Sequence, residues 1–119
     1  MVTCIVVDDD QNILSVFCEL LTLLSVDILS TAQNGDDAVK QYKKFKPDVV
    51  FLDLIMPKHD GFYAIKEISQ YDPDAKIIIV TGYLEQSESD ILDTLPVTEI
   101  IYKPFDIDQI KQALTNISL

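Results

Sequence analysis

Five polar residues directly follow apolar runs in this chain. Asp8 and Asp9 follow CIVV, Asp53 follows VVFL, Thr81 follows IIIV and Lys103 follows IIY. If those runs are strands of one parallel sheet, all five side chains project from the same edge, beside the crevice where open α/β sheets bind their ligands. Three carboxylates gathered there repel one another and raise each other's pKa unless positive charge compensates. A divalent cation supplies that charge. Magnesium takes hard oxygen ligands in an octahedron and keeps some of its waters, so two carboxylates, a backbone carbonyl and a phosphate oxygen suit it. Lys103 adds a further positive charge. A carboxylate in that setting attacks phosphorus when the charge developing on the transferred group is neutralised and the geometry is in line. Asp53 is the candidate nucleophile. A single aspartate after a strand is in most proteins a helix cap or a solvated loop residue; five chemically matched residues at strand ends are poorly explained that way.

Positioning these residues requires alternating strands and helices. Runs rich in valine and isoleucine predict strands over Thr3–Val7, Val26–Thr31, Val49–Leu52, Ile77–Val80 and Ile100–Tyr102. Segments of helical period separate them, the pattern of a parallel sheet. CIVV, VVFL and IIIV are apolar throughout, as strands covered on both faces must be, so they belong in the middle. The Val26–Thr31 segment carries Asp27, Ser30 and Thr31 and is placed at an edge. Ile13, Phe17, Leu20, Leu21 and Leu24 form one helical stripe, and Ile107, Ile110, Leu114 and Ile117 another. Asp10 and Asp106 precede these stripes as N-caps. Asn34-Gly35 and Asp60-Gly61 mark turns into two more helices, with Ala38, Tyr42 and Phe45 facing inward in one and Phe62, Ile65 and Ile68 in the other. The remaining helix, Glu85–Asp93, offers only Ile91 and Leu92 to a core, which predicts local mobility.

Composition narrows the class. A chain of 119 residues, 48% hydrophobic and 24% charged, suits one compact globular domain over 1–119. The formal net charge is -11 and every basic residue is a lysine, a balance that disfavours direct contact with nucleic-acid phosphates. The lysines crowded between Lys40 and Lys46 read as the solvated side of a helix. No apolar run reaches the roughly 18–20 residues of a membrane span, and the first residues lead into an acidic cluster. No membrane insertion and a cytoplasmic location are therefore expected. Cys4 and Cys18 lack metal-ligand or CxxC spacing and are expected as reduced thiols. His59, the one histidine, lies between a lysine and an aspartate in a turn and is expected to be solvated.

VVDDD at the first strand, FLDLIMP at the third, VTG at the fourth and YKPF at the fifth resemble the response-regulator receiver domains of two-component signalling. The motifs occur in the family's order and span nearly the whole chain. The resemblance implies an α/β fold of flavodoxin-like type: a doubly wound sheet of five parallel strands in the order 2-1-3-4-5, with five helices. It implies that Asp9 and Asp53 bind magnesium together with the backbone carbonyl of Ile55, that Asp8 holds a coordinated water, and that Asp53 accepts phosphate. Thr81 and Lys103 would each engage a phosphoryl oxygen, Gly82 would leave room for the incoming group, and the Lys103-Pro104 bond would be cis. The implied donors are a sensor histidine kinase or a histidine phosphotransfer protein, received near Leu14, Pro104 and Phe105. A downstream effector would read the side of Tyr83, Leu84, Ile100, Tyr102 and Phe105, and a homodimer formed on phosphorylation is a further outcome. Such a domain promotes its own phosphorylation and dephosphorylation and is not an enzyme in the ordinary sense.

Two features depart from the family pattern. Ile100 stands three residues before the lysine, where many receivers carry tyrosine or phenylalanine; Tyr102, on the same strand face, is a candidate substitute. Ile55 and Tyr83, each two residues beyond a site residue, place bulk where a hydrolytic water must approach, which predicts a long-lived phosphorylated state. The alternative function is a small aspartyl-nucleophile phosphatase of the haloacid-dehalogenase type. Asp8 and Asp10 have its DxD spacing, but Asn12 stands where that family expects threonine or valine. A flavin-binding module would need a glycine- and hydroxyl-rich loop after the first strand in place of three aspartates.

Overall fold

Valine and isoleucine runs form the strands because their branched side chains pack well on a pleated surface covered from both sides. In the computed structural model, which describes residues 1–117, these are β1 (Thr3–Val7), β2 (Asp27–Ala32), β3 (Val49–Leu52), β4 (Ile77–Thr81) and β5 (Glu99–Tyr102). Between and after them run α1 (Gln11–Leu23), α2 (Gly35–Phe45), α3 (Gly61–Tyr71), α4 (Gln86–Leu92) and α5 (Ile107–Asn116). All pairings are parallel, in the order β2-β1-β3-β4-β5. Fold class, strand order and helix number are those expected, and the edge strand expected over Val26–Thr31 is β2, shifted by one residue to Asp27–Ala32.

The strands alternate between two apolar layers. Ile5, Val7, Val50, Leu52, Ile77 and Ile79 face one side, under Ala38 and Tyr42 of α2, Ile65 and Ile68 of α3 and Leu92 of α4. Cys4, Val6, Val49, Phe51, Ile78 and Val80 face the other, under Leu14, Phe17 and Leu21 of α1 and Ile110 and Ala113 of α5. Phe17 meets Phe51 and Phe105 edge to face at 5.0 and 5.1 Å. One ring thus ties α1 both to β3 and to the connection that carries Lys103.

Side-chain caps fix where the strand-to-helix loops end. Asp10 accepts from the Asn12 and Ile13 amides at 2.9 and 3.3 Å, Asn34 from Asp37, Asp60 from Tyr63 and Asp106 from Gln109. Each such cap contributes about 1 kcal/mol. Three inward assignments need correction. In α1 the fully buried row is Leu14, Phe17 and Leu21, while Ile13, Leu20 and Leu24 are half-buried. Phe45 is partly exposed, because it ends α2 one turn beyond buried Tyr42, where Lys46 turns the chain in a left-handed C-cap with φ 46°. In α4 only Leu92 is buried and Ile91 is exposed. Both cysteines are free thiols. Among the described residues, no helix is long and apolar enough to cross a membrane.

Candidate functional site

β1 and β3 lie side by side at the centre of the sheet, and the chain leaves them toward opposite sheet edges. Their carboxyl ends therefore border an open crevice. The Asp53 amide donates to the Val7 carbonyl at 3.0 Å and the Asp8 amide to the Ala32 carbonyl at 3.1 Å, so strand pairing continues up to the acids themselves. Carboxylate oxygens of Asp8, Asp9 and Asp53 lie within 4.8 Å of one another. Asp8 and Asp53 are buried, at 4% and 5% exposure, whereas Asp9 is exposed.

Lys103 enters the cluster from β5. Its Nζ donates to Asp8 Oδ2 at 2.8 Å and stands 3.5 Å from Asp53 Oδ2. Its own amide donates to the Thr81 carbonyl at 2.7 Å, and the Lys103-Pro104 bond is cis, as the resemblance implies. The second Asp8 oxygen accepts from the Asp10 amide at 2.9 Å. Burial pushes the Asp53 carboxyl up to about 6; the Lys103 charge opposes this, the Asp8 charge adds to it, the Leu54 amide opposes it and the Asp9 charge adds to it. For Lys103, burial works against the ammonium ion, but the Asp8 hydrogen bond and the Asp53 and Asp8 charges outweigh it and raise the pKa. The arrangement concentrates negative charge around one buried nucleophile with a single ammonium group beside it. Its donors are hard oxygens at the mouth of a crevice, a set that fits magnesium.

The sequence-derived residues fall into three groups. Asp8, Asp9, Asp53 and Lys103 come together as described. Thr81 closes β4 at the same end of the sheet and is buried, and Gly82 has open space around the position of an added Cβ. Ile55, two residues past Asp53, and Tyr83 turn exposed side chains to solvent. His59 is exposed, as expected, and its ring stacks on Tyr63 with centroids 4.1 Å apart.

Other positions have roles the sequence signalled only as turns. Lys58 and His59 in the β3–α3 loop both adopt left-handed backbone, with φ 51° and 61°, at a cost of about 1–2 kcal/mol for each non-glycine residue. The Gly35 amide donates to the His59 carbonyl and the Gly61 amide to the Leu54 carbonyl, holding that loop in place. A Cβ on Gly61 would sit 2.3 Å from the Asp53 carbonyl oxygen and 2.7 Å from Leu54 Cα. Neither glycine has a positive φ, so close backbone approach is what requires them. Gly61→Ala is expected to cost about 1–3 kcal/mol, the usual penalty for overpacking. Gly82→Ala, with nothing within 4 Å of its added Cβ, should be close to neutral in the same urea unfolding measurement.

Residues 4–115 match the family described as the response regulator receiver domain. The chain belongs to that family. Chemotaxis protein CheY of Thermotoga maritima is 33% identical over 114 residues, 96% of this chain and 95% of that protein. CheY of Bacillus subtilis is 33% identical over 112 residues, 92% of each chain. Among solved structures, the CheX-CheY-BeF3-Mg2+ complex from Borrelia burgdorferi is similar with a TM-score of 0.87 and 29% identity, over 96% of this chain and 87% of that one. The receiver domain is a module of phosphorelay signalling, regulatory in kind, and its Asp8, Asp9 and Asp53 cluster matches the family's phosphoacceptor site. The match decides against the haloacid-dehalogenase alternative.

Proposed function

We propose that this receiver works in the cytoplasm, that Asp53 accepts a phosphoryl group from a phosphohistidine on a partner protein with magnesium bound beside it, and that the modified domain engages a downstream protein differently. The observation that carries this is the buried Asp53 carboxylate, with Asp8 and Asp9 oxygens inside 4.8 Å and Lys103 Nζ at 3.5 Å. The solved CheX-CheY relative contains both BeF3 and magnesium. Here Asp9, Asp53 and the Ile55 carbonyl would be the direct ligands, with Asp8 holding a water. When bound, magnesium neutralises the carboxylates and the charge developing on the transferred group.

This chain's residues supply the rest. An Asp53 oxygen forms the new bond to phosphorus while the donor's N–P bond breaks, and the imidazole leaves with the electron pair. Lys103 moves from Asp8 to a phosphoryl oxygen, a shift its position between two acids makes short. Thr81 offers its hydroxyl to another, and the space at Gly82 admits the group. An apolar groove beside Lys103, lined by Asn12, Ile13, Val16, Pro104 and Phe105, suits a kinase or phosphotransfer domain bringing its histidine to the site.

The test is intact-mass measurement after incubation with magnesium and acetyl phosphate. Wild type should gain one phosphoryl group and Asp53→Asn none; an adduct on the variant, or none on wild type, rejects the assignment. A second expectation concerns lifetime. Tyr83 is 88% exposed and Ile55 51% exposed, leaving both side chains free to lie across the approach to Asp53. Tyr83→Ala should speed loss of the phosphoryl group several-fold in a label-decay assay, and an unchanged rate would remove Tyr83 from the account.

A further inference from the structure

The two sides of the acidic crevice are tied together by a segment that supplies none of the site residues. Gln33 and Asn34 connect β2 to α2. On one side of this connection Ala32 closes β2, and its carbonyl accepts the Asp8 amide at 3.1 Å. In the connection itself the Gln33 side chain donates at 2.9 Å to Gln11, the residue that opens α1 just past the three aspartates. On the other side Gly35 opens α2, and its amide donates to the His59 carbonyl at 2.6 Å. The acids that follow β1 and the β3–α3 loop that carries Ile55 are therefore set against one another through one short stretch of backbone.

The loop depends on such support. Its near end is fixed by the Gly61 amide on the Leu54 carbonyl at 2.8 Å, and buried Met56 anchors it in the core. Among the described residues, no backbone–backbone hydrogen bond is made by residues 55–58. The far end is strained: Lys58 and His59 are left-handed, a conformation that persists in a non-glycine residue only where the surroundings over-determine it. His59 is held twice, through its carbonyl by Gly35 and through its ring by Tyr63. Because Asn34 caps α2, the Gly35 amide lies in the first turn, has no acceptor within the helix and is free for the His59 carbonyl. A Cβ at Gly35 would lie 2.3 Å from the His59 carbonyl oxygen and 2.4 Å from that of Asp60, both backbone atoms that cannot swing aside.

We propose that Gly35 is a positioning residue for the metal site: by holding His59 it fixes the path of the β3–α3 loop, and with it the place of the Ile55 carbonyl relative to Asp9 and Asp53. The proposal rests on the reading of Asp9, Asp53 and Ile55 as magnesium ligands. Gly61 packs on the Asp53 backbone itself, whereas Gly35 reaches the site through the loop.

The experiment is a calorimetric titration of magnesium chloride into the full chain, with the folded fraction of each variant measured by urea unfolding in the same buffer. Gly35→Ala should weaken magnesium binding about tenfold, the scale on which loss of a supporting partner acts at a metal site. Asn34→Ala removes the cap that sets where α2 begins and adds no bulk; it should weaken binding about threefold, and it decides alone if Gly35→Ala does not fold. Tyr42→Phe loosens the far end of the same helix by deleting the 2.8 Å bond to Asp72, and should change the affinity less than about twofold. Wild-type affinity in folded Gly35→Ala, or in Asn34→Ala where that variant decides, would overturn the proposal. So would equal losses in Gly35→Ala and Tyr42→Phe, since binding would then follow stability alone. Asp9→Asn separates the two readings. If wild type takes up no ion, or Asp9→Asn binds it as well as wild type, the ligand assignment fails and the proposal with it. If Asp9→Asn loses the ion while Gly35→Ala keeps it, the ligands stand and the positioning role falls.

Discussion

Asp53→Asn is expected to stabilise the fold in chelator at neutral pH by about 3 kcal/mol, while removing the phosphoacceptor. Burial pushes the Asp53 carboxyl up to about 6 from an ordinary value of 3.8. Across the window between those values the folded chain holds more protons than the unfolded chain, so wild-type stability falls as pH rises through it. Above about pH 7 the whole penalty is present; below about pH 4 both states are protonated and it vanishes. Asparagine has the same shape and no charge to desolvate. The variant's advantage should therefore be large at pH 7 and close to zero at pH 4, measured by urea unfolding with EDTA. An advantage of equal size at both pH values would mean that packing, not a buried charge, separates the two proteins. Magnesium should narrow the gap at pH 7, because only the wild-type site presents the full set of carboxylates to it.

A site that weakens its own fold is where local sequence rules are expected to point to function. The acids were legible because each follows an uninterrupted apolar run, and the polar residues flanking CIVV, VVFL and IIIV mark where those strands begin and end. Lys103 was legible for the same reason, once β5 was placed. Helix faces were less so. A stripe at helical period is broad, and the sequence does not say whether the row of Ile13 or the row of Leu14 lies deepest; in the assembled fold the deepest row is Leu14, Phe17 and Leu21. Least legible was the β3–α3 loop. Lys58 carries no residue-type signal for left-handed backbone and His59 only a weak one, and the His59 carbonyl is held by the amide of Gly35, which belongs to another element. Gly35 and Gly61 announce turns, and turns they make, but their tighter requirement is the approach of His59 and Asp53 backbone, which only the assembled fold creates.

Lys103→Met should act in the opposite sense, destabilising the chelated domain at pH 7 by about 3 kcal/mol, as expected when one partner of a buried charge cluster is removed. The loss follows from what remains: Asp8 without the donor at 2.8 Å and Asp53 without the cation at 3.5 Å, both buried. Methionine retains most of the aliphatic stem, so lost packing contributes little. Because the lysine charge holds the Asp53 pKa down, its removal lets that carboxyl take up a proton at higher pH than in wild type. The destabilisation should shrink as pH falls toward about 6, the window in which the variant's Asp53 is already protonated and the wild type's is not. Combining Lys103→Met with Asp53→Asn separates charge from shape. If the two side chains interact as described, Asp53→Asn rescues part of the Lys103→Met loss, and the cycle gives a coupling of about 1 kcal/mol or more at pH 7. The remainder belongs to Asp8, whose bond to Lys103 is lost in both backgrounds. Strict additivity of the two substitutions would mean that Lys103 and Asp53 do not share one electrostatic site, and the transfer of Lys103 from carboxylate to phosphoryl oxygen would lose its basis.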